Sequence, residues 1–199
     1  MERRAGGKTA LRCHWRLQRA RALAAGAGPA ILAAAEAALP PLLSPGGRLG
    51  LYWPLAGEAD LRPLAGRGWP IALPAVVAEE DGRRLIYRAW QAGEALAADA
   101  CGVPAPVGGP PLAPADLALL LVPAVAFDRR GIRLGYGGGW YDRLRSDPAW
   151  RRRQALAVLP QACLLDALPA DPWDVPFQGW IDERGLHRCP PAPDLVSMP

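Results

Sequence analysis

A glycine-rich segment near position 135 carries the residue types best suited to chemistry in this 199-residue sequence. Its glycines are Gly131, Gly135, Gly137, Gly138 and Gly139. Backbone amides in such a segment can reach phosphate oxygens because glycine places no side chain in the way. Arg133 adds a positive charge, and Trp140 and Tyr141 add aromatic surfaces. Asp142 supplies a carboxylate, an oxygen ligand of the kind that Mg²⁺ prefers. The pattern therefore predicts a phosphate-binding loop.

Two familiar phosphate-binding loops do not fit this sequence. A dinucleotide-binding G-x-G-x-x-G motif that starts at Gly135 needs glycine at position 140, which is Trp140. A Walker loop, G-x-x-x-x-G-K-[ST], would have to end at Gly7-Lys8-Thr9, but its first glycine position holds Glu2. The glycine segment therefore belongs to neither class.

The segments on either side of the glycines indicate how they are held. An apolar run from Leu117 to Val122, bounded by Pro123, is typical of a buried strand. From Trp140 to about Arg153 the sequence favours a helix. A strand, a glycine loop and a helix start can direct backbone N–H groups and the helix N-terminus toward a phosphate. We therefore expect the loop to follow the 117–122 strand directly.

The order of residues around the loop resembles the signature of one enzyme family. Residues 133–143 read R-L-G-Y-G-G-G-W-Y-D-R, preceded by Pro123 and Phe127-Asp128. This is similar to P-x-x-x-F-D-x-x-G-x-R-L-G-x-G-x-G-Y-Y-D-R, the signature of the 5-formyltetrahydrofolate cyclo-ligase family, with Trp140 in place of a tyrosine. The resemblance covers roughly residues 8–186. It implies an ATP- and Mg²⁺-dependent enzyme that converts 5-formyltetrahydrofolate to 5,10-methenyltetrahydrofolate and releases ADP and phosphate.

The resemblance also implies which residues bind ATP. A K-x-x-x-R element near the start of the family matches Lys8 and Arg12, and Lys8 and Arg133 are the predicted catalytic residues. The predicted ATP contacts are Lys8, Arg12, Arg133, Leu134, Gly135, Tyr136, Gly137, Gly138, Gly139, Trp140 and Tyr141. Arg16 and Arg19 share the predicted helix face with Lys8 and Arg12. We interpret these two arginines as part of a solvated basic surface.

A folate site follows from the same resemblance. The family's strand and E-x-D element match Trp53 and Glu58 as substrate contacts. The other predicted folate contacts are Tyr136, Gly137, Gly138, Gly139 and Trp140. From the residues alone, Glu58 fits equally well as an acidic residue in the first turn of a helix, and Trp53 as a core residue.

The metal ligands implied by the resemblance are Asp142 and Asp174, with Asp171 as the alternative to Asp174. Two further positions depart from the family pattern. Ala105 stands where a glutamate is frequent, and Gln178 stands where a second aspartate is usual. Together with Trp140, these departures leave a second hypothesis open, a non-catalytic folate- or nucleotide-binding paralogue.

The elements of the chain predict one α/β domain of three layers with a largely parallel sheet over residues 1–199. Residues 1–7 and 190–199 are expected to be loose tails. The predicted helices are 8–25, 29–39, 60–66 and 140–153. The predicted strands are 49–53, 71–74, 84–90, 117–122, 154–159 and 180–183. The Pro- and Gly-rich stretch 102–114 is predicted to be a loop.

Charge and apolar runs narrow the functional class. The net charge is +4, and the chain has one lysine and twenty-two arginines spread along its length. A nucleic-acid surface would need these residues interleaved with aromatics on one face, so we expect no nucleic-acid partner. No apolar run approaches the length of a membrane span, and no apolar signal-peptide core follows Met1. No two of the four cysteines have C-x-x-C spacing. We therefore expect a cytoplasmic monomer with reduced thiols.

Overall fold

A computed structural model describes residues 3–43, 46–80 and 82–190. Its strands, in chain order, are β1 (Arg48–Gly50), β2 (Ile71–Glu79), β3 (Gly82–Trp90), β4 (Leu96–Ala98), β5 (Pro104–Pro106), β6 (Leu117–Pro123), β7 (Ala126–Asp128), β8 (Arg133–Leu134), β9 (Gln154–Val158), β10 (Leu164–Leu165), β11 (Gly179–Asp182) and β12 (Gly185–Arg188). Its α-helices are α1 (Arg3–Ala22), α2 (Gly28–Ala38), α3 (Trp140–Ser146) and α4 (Pro148–Arg151).

Seven strands form the main sheet, in the order β12-β11-β9-β6-β1-β2-β3. The five inner strands run parallel, and the edge strands β12 and β3 pair antiparallel with their neighbours. Side chains of β6 alternate between faces, so Leu119 and Leu121 pack in the core that contains α2 residues. Leu120 and Val122 pack in the opposite core, beside α3 and α4. The prediction of a three-layer α/β fold with a largely parallel sheet is confirmed.

The helices differ from their predicted bounds. The first helix begins at Arg3, so the prediction of a loose segment is wrong for residues 3–7, while 191–199 lie outside the described residues. The predicted helix at 140–153 is two short helices, because Asp147 is extended (φ −65°, ψ 126°) and Pro148 follows it. The Asp147 side chain accepts a hydrogen bond from the Ala149 N–H (2.6 Å) and caps α4. With only seven residues, α3 is too short for its dipole to dominate the site.

The prediction that the glycine loop directly follows β6 is wrong. β7 and β8 lie between them and pair antiparallel, and β10 joins on the other side of β7 to form a small separate sheet. The predicted 102–114 loop is also wrong for Pro104–Pro106, which forms β5 and pairs with β4. Two-residue and three-residue strands such as these carry almost no periodic signal in sequence. In the described ranges, no helix has both the length and the apolar character to cross a membrane.

Asp128 fixes the turn between β7 and β8. Its carboxylate is fully buried and accepts hydrogen bonds from the backbone N–H groups of Arg130 (2.9 Å), Ile132 (3.0 Å) and Leu168 (2.8 Å). The Arg130 guanidinium also donates to it, at 2.7 Å and 3.0 Å. Asp128 therefore joins the turn to the segment at Leu168, and the F-D pair of the signature has a structural role.

We predict that Asp128→Ala destabilises the protein by about 3 kcal/mol, because two buried N–H groups lose their acceptor. The free energy of unfolding, measured in urea, checks this. Asp166→Ala is the matched control, since the Asp166 side chain is fully exposed and forms a long, solvent-exposed ion pair with Arg129 at 3.6 Å. It should change stability by less than about 0.5 kcal/mol. Equal stability of the two variants would contradict the structural role of Asp128.

Candidate active site

One cavity of about 560 Å³ gathers the predicted site residues. Its walls come from α1, from the segment that follows β1, from the end of β6, from the glycine loop and from residues 171–174. The predicted residues in its wall are Lys8, Arg12, Trp53, Glu58, Arg133, Leu134, Gly135, Tyr136, Gly137, Gly138, Gly139, Trp140, Tyr141, Asp142, Asp171 and Asp174. Every residue assigned to the site from sequence therefore lies around one space.

The glycine loop packs between two guanidinium groups. Arg12 donates from Nε to the Gly135 carbonyl oxygen at 3.0 Å. A Cβ at Gly135 would lie 2.7 Å from Arg133 Nη1, closer than real Cβ atoms approach. Gly137 has φ +100°, and a Cβ there would lie 3.2 Å from Arg12 Cζ. A side chain at Gly137 would be strained by the positive φ and would push against Arg12, and one at Gly135 would have to displace the Arg133 guanidinium.

Arg133 is fixed by a backbone carbonyl at the end of β6. Its side chain is only 7% exposed, and Nη1 donates to the Pro123 carbonyl oxygen at 3.1 Å. Its Nη2 lies 3.8 Å from Asp142 Oδ1, and its guanidinium lies over the Tyr141 ring at 5.1 Å. Burial raises the pKa of Tyr141 to about 12, so its hydroxyl keeps its proton at neutral pH. The end of β6 thus sets the position of a cation in the cavity wall.

Lys8 bridges two carboxylates across the cavity. Its Nζ lies 2.5 Å from Asp171 Oδ2 and 3.3 Å from Asp174 Oδ2. The Asp171 N–H donates to Asp174 Oδ2 at 2.8 Å. Burial lowers the pKa of Lys8, but the Asp171 hydrogen bond and the Asp174 charge outweigh it, so the net pKa is raised. Lys8 is therefore a cation, and both candidate aspartates contact it.

The carboxylates in the cavity wall suit a magnesium ion that takes its remaining ligands from a phosphate and from water. The described part of the chain contains no group of three or more His, Cys, Asp or Glu side chains placed to hold a metal. Mg²⁺ usually takes one or two carboxylates and completes its octahedron with water and substrate phosphate oxygens. Asp142, with a 36% exposed side chain, and Asp174 both face the cavity and are oxygen donors of that kind.

Glu58 lies in a buried position with few partners. Its side chain is 2% exposed, and Oε2 accepts a hydrogen bond from the Leu55 N–H at 2.8 Å. Burial raises the pKa of the Glu58 carboxyl, while the Leu55 N–H and the positive charge of Arg19 lower it, and the net direction is upward. Glu58 Oε1 lies 3.7 Å from Arg19 Nη1. Glu58 also lines the cavity, and its Oε1 makes no hydrogen bond of ordinary geometry.

The interpretation of Arg19 as a solvated residue is wrong. Arg19 is 2% exposed, and its Nη1 donates to the Ala124 carbonyl oxygen at 2.9 Å. Its Nη2 donates to the Tyr136 hydroxyl. Arg16, one turn earlier, is exposed as predicted and lies 5.2 Å from the Tyr136 ring centre. The helical spacing of Arg19 from Lys8 and Arg12 was the signal that could have placed it at the site.

Sequence reasoning also missed several residues in the cavity wall. Tyr52 precedes the predicted Trp53, and Asp99 and Cys101 come from the segment between β4 and β5. Trp173, 65% exposed, lies beside Asp174. These residues belong to segments whose approach to the loop depends on the complete sheet, so no local pattern marks them.

A comparison with known proteins agrees with this geometry. Residues 61–181 match the model of the 5-formyltetrahydrofolate cyclo-ligase family. The chain belongs to this family. Two curated relatives are named 5-formyltetrahydrofolate cyclo-ligase: one from Mycolicibacterium smegmatis, 46% identical over 70 residues, and one from Haemophilus influenzae, 43% identical over 64 residues. These alignments cover 33% and 31% of this chain, and they span about a third of each relative, 36% and 33%.

Two solved structures resemble the cyclo-ligase fold of this chain over most of its length. The 5,10-methenyltetrahydrofolate synthetase of Aquifex aeolicus has a TM-score of 0.70 and 27% identity, and 96% of each chain is covered. The Mycoplasma pneumoniae synthetase has a TM-score of 0.65 over 88% of this chain and 98% of its own. At 22% identity, the second likeness supports the fold alone.

We predict that Gly137→Val weakens ATP binding by more than tenfold in a folded cyclo-ligase chain. A β-branched side chain disfavours the positive φ of this residue and would push against Arg12. Titration calorimetry with ATP, with circular dichroism as a fold check, measures the effect. Gly108→Val is the control, because a Cβ there meets no atom within 4 Å and φ is not positive. A folded Gly137→Val variant with normal ATP affinity would contradict a phosphate role for the loop.

Proposed function

We propose that this chain is an ATP- and Mg²⁺-dependent cyclo-ligase that converts 5-formyltetrahydrofolate to 5,10-methenyltetrahydrofolate with release of ADP and phosphate. The observation that carries the proposal is the single cavity, which joins a buried carboxylate to a glycine loop flanked by cations. A reduced pterin and a triphosphate need those two environments, and the reaction needs them side by side. Membership of the cyclo-ligase family supports the same assignment.

Glu58 is suited to bind the pterin end of the folate. The aminopyrimidinone edge of a reduced pterin presents two adjacent N–H donors, and one carboxylate can accept from both. Trp53 lies close by with its ring over a cation, Arg62, at 4.6 Å, and it offers an apolar wall. Tyr136, Trp140 and the loop glycines complete the predicted contact surface.

The part of the wall formed by the glycine loop and its cations is suited to phosphate. Arg12 and Arg133 lie against the loop backbone, and Lys8 adds a third cation. Because Lys8 is paired with Asp171 and Asp174, a phosphate must compete with those carboxylates for it. We therefore infer that Lys8 exchanges partners when the triphosphate binds, which would release carboxylate oxygens at the moment a hard cation arrives. When bound, Mg²⁺ would neutralise phosphate charge beside Asp142 and Asp174.

The proposed chemistry activates a poor electrophile. The formyl group on N5 resembles an amide, so its carbon resists attack and its oxygen is a poor leaving group. Transfer of the γ-phosphoryl group to the formyl oxygen gives an iminium phosphate and ADP. The N10 amine then attacks the formyl carbon, N10 loses its proton, and phosphate departs with the original formyl oxygen. Arg133, Arg12 and Lys8 stabilise the charge that moves between phosphate oxygens, and alignment replaces any protein nucleophile.

A non-catalytic folate- or nucleotide-binding paralogue is the second candidate. Of the three departures from the family pattern, Ala105 is buried in β5, and Gln178 accepts a hydrogen bond from the Ala155 N–H at 2.9 Å. Neither lies among the described residues that line the cavity. Trp140 does line it, with Arg143 over its ring at 4.5 Å, and it is the departure that favours this candidate.

We predict turnover that requires both ATP and a divalent cation. With 5-formyltetrahydrofolate, ATP and Mg²⁺ present, the absorbance of the methenyl product should rise. EDTA should stop the reaction, and excess Mg²⁺ should restore it, because phosphoryl transfer needs the metal to neutralise charge. Binding of both ligands without turnover would favour the paralogue, and full activity without ATP would reject the cyclo-ligase.

Glu58→Gln should weaken binding of 5-formyltetrahydrofolate by about 10- to 100-fold, since a hydrogen bond to a charged group contributes about 1.5–3 kcal/mol. The amide places a donor where the pterin also has a donor. Affinity for ATP, measured without folate, should stay within about twofold. Glu80→Gln, at an exposed position, serves as the control. A loss of ATP affinity with normal folate affinity would move Glu58 to the nucleotide side of the site.

A further inference from the structure

Arg19 connects three parts of the candidate site from outside the cavity wall. It lies on α1 and donates to Ala124, the residue that follows β6. It also donates to the hydroxyl of Tyr136 in the glycine loop. Its Nη1 lies 3.7 Å from Glu58 Oε1 in the segment that follows β1. Arg19 is not itself among the residues that line the cavity.

The pair of Arg19 and Glu58 is buried almost completely. Their side chains are 3% and 2% exposed. Within the described chain, Arg19 Nε and Glu58 Oε1 are buried atoms with no hydrogen bond of ordinary geometry. An isolated carboxylate in such a place would take up a proton to avoid the cost of a buried charge. After the hydrogen bond from the Leu55 N–H, the charge of Arg19 is the largest influence that favours the ionised form of Glu58, and it is the larger of the two cationic influences.

The other titratable groups around Glu58 do not replace Arg19. The tyrosines that interact with it electrostatically are Tyr52, Tyr136 and Tyr141, and burial raises the pKa of each of them. They are neutral at pH 7, and of the three only Tyr136 favours the carboxylate form of Glu58, as a neutral hydrogen-bond donor that Arg19 itself contacts. Arg133 is the other cation that acts on Glu58, and its effect is smaller than that of Arg19. The Leu55 N–H favours the carboxylate form through Oε2.

We propose that Arg19 is a positioning residue for substrate recognition, which keeps Glu58 as a carboxylate and fixes Tyr136 beside it. This inference rests on the proposed function, because binding the two N–H donors of a pterin requires Glu58 to be ionised. A protonated Glu58 would present a hydroxyl donor to the donor edge of the pterin, and recognition would fail. A guanidinium suits the task, since its five donors can serve a carbonyl, a hydroxyl and a carboxylate at once.

The direction of the pH effect follows from these charges. Burial raises the pKa of Glu58, and Arg19 opposes that rise. Without the positive charge, the pKa of Glu58 should rise further. A larger fraction of Glu58 is then protonated at pH 7, and folate affinity falls there. At higher pH the carboxylate form returns, so the affinity lost at pH 7 should be recovered as pH increases.

The test compares a neutral variant with a charge-retaining variant. Arg19→Gln removes the charge but keeps a donor, Arg19→Lys keeps the charge, and Arg21→Met changes an exposed arginine on the same helix. Binding of 5-formyltetrahydrofolate is measured from pH 6 to pH 9. Arg19→Gln should bind about tenfold or more weakly at pH 7 and approach wild type at pH 9. Arg19→Lys should keep the wild-type pH midpoint, and Arg21→Met should match wild type throughout.

Carboxyl carbon NMR of Glu58 provides a second readout that needs no ligand. Wild type should show an ionised Glu58 at pH 7, and the Arg19→Gln midpoint should move upward. A protonated Glu58 in wild type overturns the proposal even if the Gln variant does not fold. A pH-independent loss of affinity, equal in the Gln and Lys variants, also overturns it, because that pattern means a purely structural role.

The outcomes separate this inference from the proposed function. If wild type does not bind 5-formyltetrahydrofolate, the proposed function fails, while the NMR midpoints still decide whether Arg19 controls the ionisation of Glu58. If wild type binds the folate and Glu58→Gln weakens binding, but Arg19→Gln keeps the wild-type pH profile, only the inference about Arg19 fails.

Discussion

Two consecutive backbone carbonyls at the end of β6 determine the arrangement of the site. Pro123 O accepts from Arg133 at 3.1 Å, and Ala124 O accepts from Arg19 at 2.9 Å. Both guanidinium groups are almost fully buried, so each needs acceptors whose positions do not fluctuate. A central parallel strand supplies such acceptors, because β1 and β9 hold β6 from both sides. The rest of the site is built around these two cations.

The glycine loop follows from that constraint. Arg133 occupies the space that a side chain at Gly135 would need, and Arg12 approaches Gly137 from the other side. The loop backbone therefore lies directly against the guanidinium groups of Arg133 and Arg12, with no side chain between them. Charge held in an interior of low polarity acts on a ligand more strongly than charge in water. Arg19 lies against both Glu58 and Tyr136 of the loop, so under the proposed function it would link the folate contacts to the phosphate contacts.

The sequence was sufficient to predict the α/β fold and many of the residues around the cavity. The signature residues are contiguous, and Lys8, Arg12 and Glu58 match short family elements, so all were accessible to pattern and resemblance. Helical spacing placed Arg19 on the face of Lys8 and Arg12, but a basic residue on a helix face is usually solvated, and its burial shows only in the tertiary positions of Tyr136 and Glu58. The β7–β8 hairpin was missed since its strands are too short for periodicity. The predicted roles of these residues remain predictions.

The central claim is that the formyl oxygen is phosphorylated before the ring closes. The most direct test uses 5-formyltetrahydrofolate labelled with ¹⁸O in the formyl group, unlabelled ATP, Mg²⁺ and ordinary water. Mass spectrometry of the released phosphate then locates the label. The account predicts one ¹⁸O atom in the phosphate for each methenyl product formed. Methenyl product with unlabelled phosphate, and the ¹⁸O recovered in water, would contradict it.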